Sequence, residues 1–396
     1  MYVTIAAVKY GNCPEYQGAE LKVPATREAI QDAMDRARVQ GEEAYRMITF
    51  RGWPSFLQER LARMETDIQE VNFLASRVDR MNQEGLSQYG GVLACIETER
   101  EGQECSIKDL INASYNMERF ELMPGVLTDA DLGEHAVDGD FMRLLQDIPD
   151  EVIELLDLSK VGKYLRRSEK GAFTKDGYCF RSSEGWREVH SGRKQSEQAL
   201  KTELILSVCI KNRDSPEDVE KWLFLPCSDE ELTSVCECFH VPNVSRFQIT
   251  GIYSLIPALE EHISPDEDIG ALNELAGKLK GMTPEECLKY KAVLEFDGWS
   301  SVERALWLAD RLEYYVFDPA QISYADYGRE CLENLGVDCS APAFGNFSFY
   351  QYGLAQYEAA GMKLTSYGAV SLDREPDFSE TERNSQHMGG SPCQTM

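Results

Sequence analysis

The residue types best suited to chemistry in this chain are its thiols and its acids. Cys236, Cys238 and His240, with Cys227 nearby, look like a ligand set, and alternate spacing on a strand would turn all three to one side. Ser228 and Glu231, however, are spaced as a helix N-cap and its capping-box acid, so residues 236–240 fall at a helix end, where positions two apart do not converge. Buried thiols are the expected reading, with no metal. Paired carboxylates can exchange protons, but among 68 Asp and Glu such pairs arise everywhere by chance. The chain carries no Walker loop, dinucleotide fingerprint, nucleophile elbow, zincin motif or EF-hand loop, and only five histidines. No catalytic residue and no cofactor is expected.

The remaining signal is the run of acids in the second half. Glu260, Glu261, Asp266, Glu267, Asp268, Glu285, Glu286, Glu295, Asp297, Glu303, Asp310, Glu313, Asp318, Asp326, Glu330 and Glu333 follow one another with few intervening bases. On helices, acids three or four residues apart lie about 5 to 6 Å from each other. That is close to the spacing of successive phosphates along a strand, so a rigid surface of this kind can fill a groove built for DNA. The same acids also suit a solvated surface that keeps a protein soluble.

Charge over the whole chain points the same way. The 396 residues carry 40 Lys and Arg against 68 Asp and Glu, a formal net charge of -28. About 25 basic and 34 acidic residues lie in 1–195, which leaves 15 and 34 for 196–396, so roughly two thirds of the excess negative charge belongs to the second half. Direct binding to nucleic acid or to an anionic membrane is disfavoured, and a basic partner is favoured. No apolar run approaches the roughly 18 to 20 residues of a membrane span. The start lacks the features of a signal peptide. Twelve scattered cysteines suit a reducing cytoplasm.

These acids need elements to position them, and the elements recur. Residues 67–93 and 268–294 align at an offset of 201 with about ten identities in 27 positions. The identities include Asn72 with Asn273 and Tyr89 with Tyr290, which are assigned to packing within each repeat. Ile269, Leu272, Leu275, Ala276, Leu279 and Met282 form a helical stripe matched by Ile68, Val71, Leu74, Ala75, Val78 and Met81. Thr283, Pro284 and Glu286 then start a second helix.

Upstream, strands are predicted over 2–8 and 204–210, then 21–24 and 222–226 lead into helices begun at Thr26 and Ser228, with Pro24 matching Pro226 and Ile48 with Thr49 matching Ile249 with Thr250 on a following strand. Downstream, about six extra residues around 97–104 are read as a loop, after which the register resumes at an offset of 195. Thr128 with Asp131 and Ser323 with Asp326 each start another helix. Gly162, Phe173, Thr174 and Gly177 align with Gly353, Leu364, Thr365 and Gly368 at a terminal hairpin. The expectation is an α+β chain of two tandem repeats, 1–181 and 202–372, with a polar linker at 182–201 and a disordered tail at 373–396.

The second repeat, through WLFLPCSDEEL, FQITGI, DIGALNELAGKL, FDGWSSVERALWLADRLEYYVFDPAQISYADYGRECLENLG and FYQYGLAQYEAAGMKLTSYGAVSL, resembles the ArdA antirestriction family over about 202–372. The first repeat looks like a diverged relative. The resemblance implies a cytoplasmic DNA mimic of bacterial hosts, typically encoded on mobile elements, that blocks the DNA groove of type I restriction-modification enzymes. It implies an elongated row of small α+β domains, which pair into a curved dimer in the family. Two copies in one chain would form a pseudo-dimer, monomeric or further assembled. The family's antirestriction motif corresponds approximately to 295–312, a region associated with subunit contact.

Two other readings compete: inhibition of another DNA-handling defence or regulatory protein, and an acidic adaptor that binds a basic partner without displacing DNA. A hydrolase using paired acids is more distant. One stretch departs from a uniform mimic. Residues 160–194 hold about ten bases, including Lys163, Arg166, Arg167, Lys170, Lys175, Arg181 and Arg187, against about four acids. They either make a separate contact or neutralise the neighbouring Asp150, Glu151, Glu154 and Asp157.

Overall fold

A computed structural model describes residues 1–138, 155–191, 205–215 and 219–373. The expected tail beyond 373, residues 192–201 of the expected linker, and the acids Asp150, Glu151 and Glu154 lie outside the described residues.

The chain forms two compact units. Unit 1 takes Met1–Ile5, Glu20–Thr26 and Arg46–Leu200, and unit 2 takes Ala6–Ala19, Arg27–Tyr45 and Lys201–Met396. This division differs from the expected boundaries, because two N-terminal segments cluster with the second half.

In chain order the first half runs β1 Tyr2–Ala7, β2 Ala19–Lys22, α1 Arg27–Arg36, β3 Tyr45–Arg51, α2 Ser55–Leu61, α3 Ile68–Val78, α4 Gln83–Glu99, α5 Ile107–Ala113, β4 Phe120–Pro124, α6 Asp129–Asp138, α7 Leu158–Glu169, β5 Ala172–Thr174 and β6 Gly177–Arg181. The second half runs β7 Leu206–Asn212, β8 Glu220–Leu225, α8 Asp229–Cys238, β9 Phe247–Ser254, α9 Pro257–His262, α10 Ile269–Gly281, α11 Pro284–Asp297, α12 Val302–Ala309, β10 Tyr315–Asp318, α13 Tyr324–Asn334, α14 Phe349–Ala359, β11 Met362–Leu364 and β12 Ala369–Leu372. The strands make small three-stranded sheets ordered β2-β1-β3, β4-β6-β5, β8-β7-β9 and β10-β12-β11. The fold is mixed α+β, and the second half repeats the sheet orders of the first.

The expected helical stripes are the buried faces except at their ends, where Met81 and Met282 lie just past the helices and are half-buried. Ile68, Val71, Leu74, Ala75 and Val78 are buried on α3, as are Ile269, Leu272, Leu275, Ala276 and Leu279 on α10. Asp67 and Asp268 cap these helices through their side chains. Thr283 and Glu286 complete a capping box at α11, with Pro284 at its first position.

The paired polar residues make matching bonds within their own units. In unit 1 the Asn72 side chain accepts from the Ala25 amide at 2.7 Å and donates to its carbonyl at 2.9 Å. In unit 2 Asn273 does the same with Cys227, at 2.8 and 3.1 Å. The Tyr89 hydroxyl donates to the Leu110 carbonyl at 2.6 Å, and that of Tyr290 to the Ala305 carbonyl at 2.7 Å. A half-buried side-chain amide that satisfies both backbone groups of one residue fixes the strand's exit against the helix without leaving an unmet donor.

The extra residues of the first half are not all loop. Helix α4 continues to Glu99 and has 17 residues where α11 has 14, so part of the insertion lengthens a helix. Between 182 and 191, expected to begin a linker, the backbone is held in unit 1. Asn112 Oδ1 accepts from the Val189 amide at 2.7 Å and the His190 amide at 2.9 Å, and Asn116 Oδ1 accepts from the Arg187 amide at 2.7 Å.

Each half also contains a helix pair joined through glycines. A methyl group at Gly162 of α7 would strike the Asp129 carbonyl of α6, and one at Gly353 of α14 would strike the Tyr324 carbonyl of α13. Gly133 and Gly328 are equally blocked from the other side. Gly353→Ala should therefore push α13 and α14 apart and cost unit 2 about 3 kcal/mol, at the upper end for overpacking. Gly277→Ala, on α10 with open space beside it, should be neutral or slightly stabilising. Urea unfolding of the two variants checks this, and equal midpoints would refute it.

Candidate functional site

The acids of the second half lie on or beside α9 to α13 of unit 2, and many sit where helix physics favours them. Glu260, Glu285, Glu286, Glu303 and Asp326 occupy first turns, where the helix dipole stabilises negative charge. Asp268 accepts from the Ala271 amide at 2.9 Å and Glu286 from the Thr283 amide at 2.8 Å. Asp318 accepts from the Ala320 amide at 2.9 Å, and Glu295 from the Ser366 amide at 2.8 Å. Gln321 donates to Glu330 at 2.9 Å.

A second group is neutralised by cations. Asp266 pairs with Arg213 at 2.7 Å, Asp297 with Arg304 at 3.0 Å, Asp310 with Lys278 at 2.5 Å and Asp326 with Arg329 at 3.3 Å. What remains is smaller than the sequence suggests. The carboxylates of Glu261, Glu285, Glu303, Glu313 and Glu333 are exposed and have no hydrogen bond or ion pair among the described residues.

Two half-buried acids register the crowding of like charge. The Glu267 carboxyl lies above its ordinary value because of burial and then because Glu303 opposes its ionisation. Glu260 is raised by burial and by Glu28 and Glu261, against the Ser254 amide that bonds its charged form at 2.8 Å. Glu28 was not among the expected acids. It lies on α1, far away in sequence, and only the joining of Arg27–Tyr45 to unit 2 brings it to Glu260.

Acids of unit 1 are more often matched. Arginines hold Glu97 at 2.7 Å, Glu99 at 2.8 Å, Asp109 at 2.7 Å and Asp129 at 2.8 Å. Asp109 is thereby held down at about 2, chiefly by its bonds to Arg100.

The thiol cluster does not assemble. Cys236 is buried while Cys238 and His240 are exposed, so the expectation of buried thiols holds for Cys236 and is corrected for Cys238. Helix α8 ends at Cys238, and its turn sends the two side chains to different faces. No His, Cys, Asp and Glu group with the geometry of a metal site occurs among the described residues. An open cleft of about 550 Å³ in unit 1 is lined by Trp53, Phe56, Asp79 and Lys175, and one of about 440 Å³ in unit 2 by Lys278, Glu286, Asp310 and Glu313.

The span matching the family motif, 295–312, runs from the end of α11 through α12. It buries Trp299, Val302, Ala305 and Leu308. Arg304 and Arg311 lie over the ring of Trp307 at 4.2 and 4.5 Å. No helix among the described residues is long and apolar enough to cross a membrane.

Residues 1–180 match the family model described as Antirestriction protein (ArdA). The match falls on the half read from sequence as the diverged relative. No curated protein matches the chain.

Proposed function

We propose that this chain, whose residues 1–180 are identified with the ArdA antirestriction family, is a DNA-mimic inhibitor that enters the DNA-binding groove of a type I restriction-modification enzyme. The family match carries the antirestriction reading. The free carboxylates of unit 2 support mimicry, because a groove lined with Lys and Arg to meet phosphates accepts a fixed array of carboxylates without reading sequence. Glu261, Glu285, Glu303, Glu313 and Glu333 carry the charge, since the other acids are already bonded within the fold. Inhibition is by exclusion and needs no catalytic step. Its site of action is the cytoplasm, where the target enzymes work.

The second half is proposed to be a second ArdA-like copy. Its repeated sheet orders, the Asn72 and Asn273 bonds and the glycine-joined helix pairs support a tandem duplication. A single chain then supplies, as a pseudo-dimer, what a pair of family members supplies.

The test is a purified type I restriction-modification complex titrated with the protein, following labelled duplex binding and ATP-dependent cleavage at low and high salt. Displacement of DNA at near one chain per groove, weakening as salt rises, is expected. A complex that keeps its DNA while binding the protein identifies an adaptor instead, and one that ignores the protein rules out this target.

A further inference from the structure

One face of unit 1 has the opposite sign from the rest of the molecule. On α7 and at its end, Lys160, Lys163, Arg167 and Lys170 follow at steps of three, four and three residues, so they form one stripe along the helix. With a rise of 1.5 Å per residue the stripe is about 15 Å long. All four are exposed, and the Lys160 side chain is 83% so. Lys160 has a local partner in Asp157 at 3.1 Å, whereas Lys163, Arg167 and Lys170 have no ion pair among the described residues.

The stripe is held rigidly from behind. The packed side of α7 meets α6 at Gly133 and Gly162, and Arg166 spends its charge on Asp129 at 2.8 Å. Glu169, which could have neutralised Lys170, instead accepts from the Tyr178 hydroxyl at 3.0 Å. Tyr164, between Lys163 and Arg167, leaves 55% of its surface in solvent. Its helix thus presents cations a few ångströms apart with an aromatic ring among them, which is the combination that tracks a phosphate backbone and stacks an unpaired base.

We infer that this face of α7 is a contact for single-stranded nucleic acid, with Lys163, Arg167 and Lys170 on successive phosphates and Tyr164 against a base. An unpaired strand fits better than a duplex, whose bases are stacked out of reach of a side chain on a convex helix. The chain would then carry a DNA-like face in unit 2 and a nucleic-acid-binding face in unit 1, and neither inference stands on the other.

The experiment uses the full chain and a fluorescent 20-nucleotide strand. Anisotropy should show binding at about 50 mM salt that weakens roughly 20-fold by about 200 mM, the slope for about three phosphate contacts on a single strand. Lys163→Glu with Arg167→Glu should abolish it. Tyr164→Ala should weaken it about tenfold while leaving any duplex binding unchanged. Both variants should unfold at the wild-type urea midpoint and still displace DNA from the restriction complex, which separates this test from that of the proposed function. No binding at low salt, or binding indifferent to the double reversal, overturns the inference. So does sedimentation showing that the stripe instead joins two copies of the chain, with association lost in the double reversal.

Discussion

Lys291→Ala is expected to cost unit 2 roughly 3–5 kcal/mol, the range for breaking a buried ion pair by removing one partner. The Lys291 side chain, on α11, is 4% exposed and lies 2.8 Å from Asp35 and 3.1 Å from Asp32, both on α1. Asp32 is itself 8% exposed and is shared with Arg36 at 2.9 Å and with the Tyr367 hydroxyl at 2.8 Å. Removal of the ammonium leaves two carboxylates facing each other, with Arg36 beside Asp32 as the remaining cation. The lysine is worth keeping charged there: burial lowers its pKa, but Asp32 and Asp35 outweigh burial and hold it above the ordinary 10.5.

The pH dependence follows from that sign. A raised folded-state lysine contributes stability that is fully present below the unfolded value, and this is lost as pH rises through the folded one. The gap between wild type and Lys291→Ala should therefore be constant near neutrality and shrink only above about pH 10.5. Urea unfolding across pH measures it. A gap below about 1 kcal/mol at pH 7 would mean that the two acids find other partners, and the account of the pair would be wrong.

The second large effect concerns binding. Glu261, Glu285, Glu303, Glu313 and Glu333 changed together to glutamine should weaken displacement of DNA from a restriction complex by roughly a hundredfold, while each single change should cost less than about fivefold. A matched set drawn from Asp266, Asp297, Asp310 and Asp326 should do less to binding and more to stability, because each already serves an arginine or lysine of the fold. Competition titrations with labelled duplex, read beside urea midpoints, separate the two sets. If one glutamate alone carries the loss, the surface is a specific contact rather than a distributed mimic.

Much of the scaffold was legible because its signals are local. The stripes of α3 and α10 recur within a turn, and the caps at Ser228 and Thr283 lie within three residues of what they bond. Asn72 and Asn273 could be paired by alignment before their bonds to Ala25 and Cys227 were known. The site was less legible. Whether an acid is free depends on a distant cation, as Asp310 depends on Lys278 and Asp266 on Arg213, and nothing in the spacing of the acids reports that. Nothing in the sequence around Asp32, Asp35 or Lys291 marks them as partners. Their burial follows from α1 belonging to unit 2, which no local pattern encodes.

That placement sets a timetable for synthesis. Asp35 and Lys291 are 256 residues apart. At roughly 5 to 20 residues per second, a ribosome makes the lysine on the order of 10 to 50 seconds after the aspartate. Throughout that interval α1 has emerged without the cation that allows its acids to be buried. All of unit 1 has been made by residue 200, so it can close while the chain is still growing. Helix α11 of the second half, by contrast, must collect one of the first-made helices of the chain before unit 2 is complete. A fragment starting at residue 202 would emerge without it, however long it was given to fold.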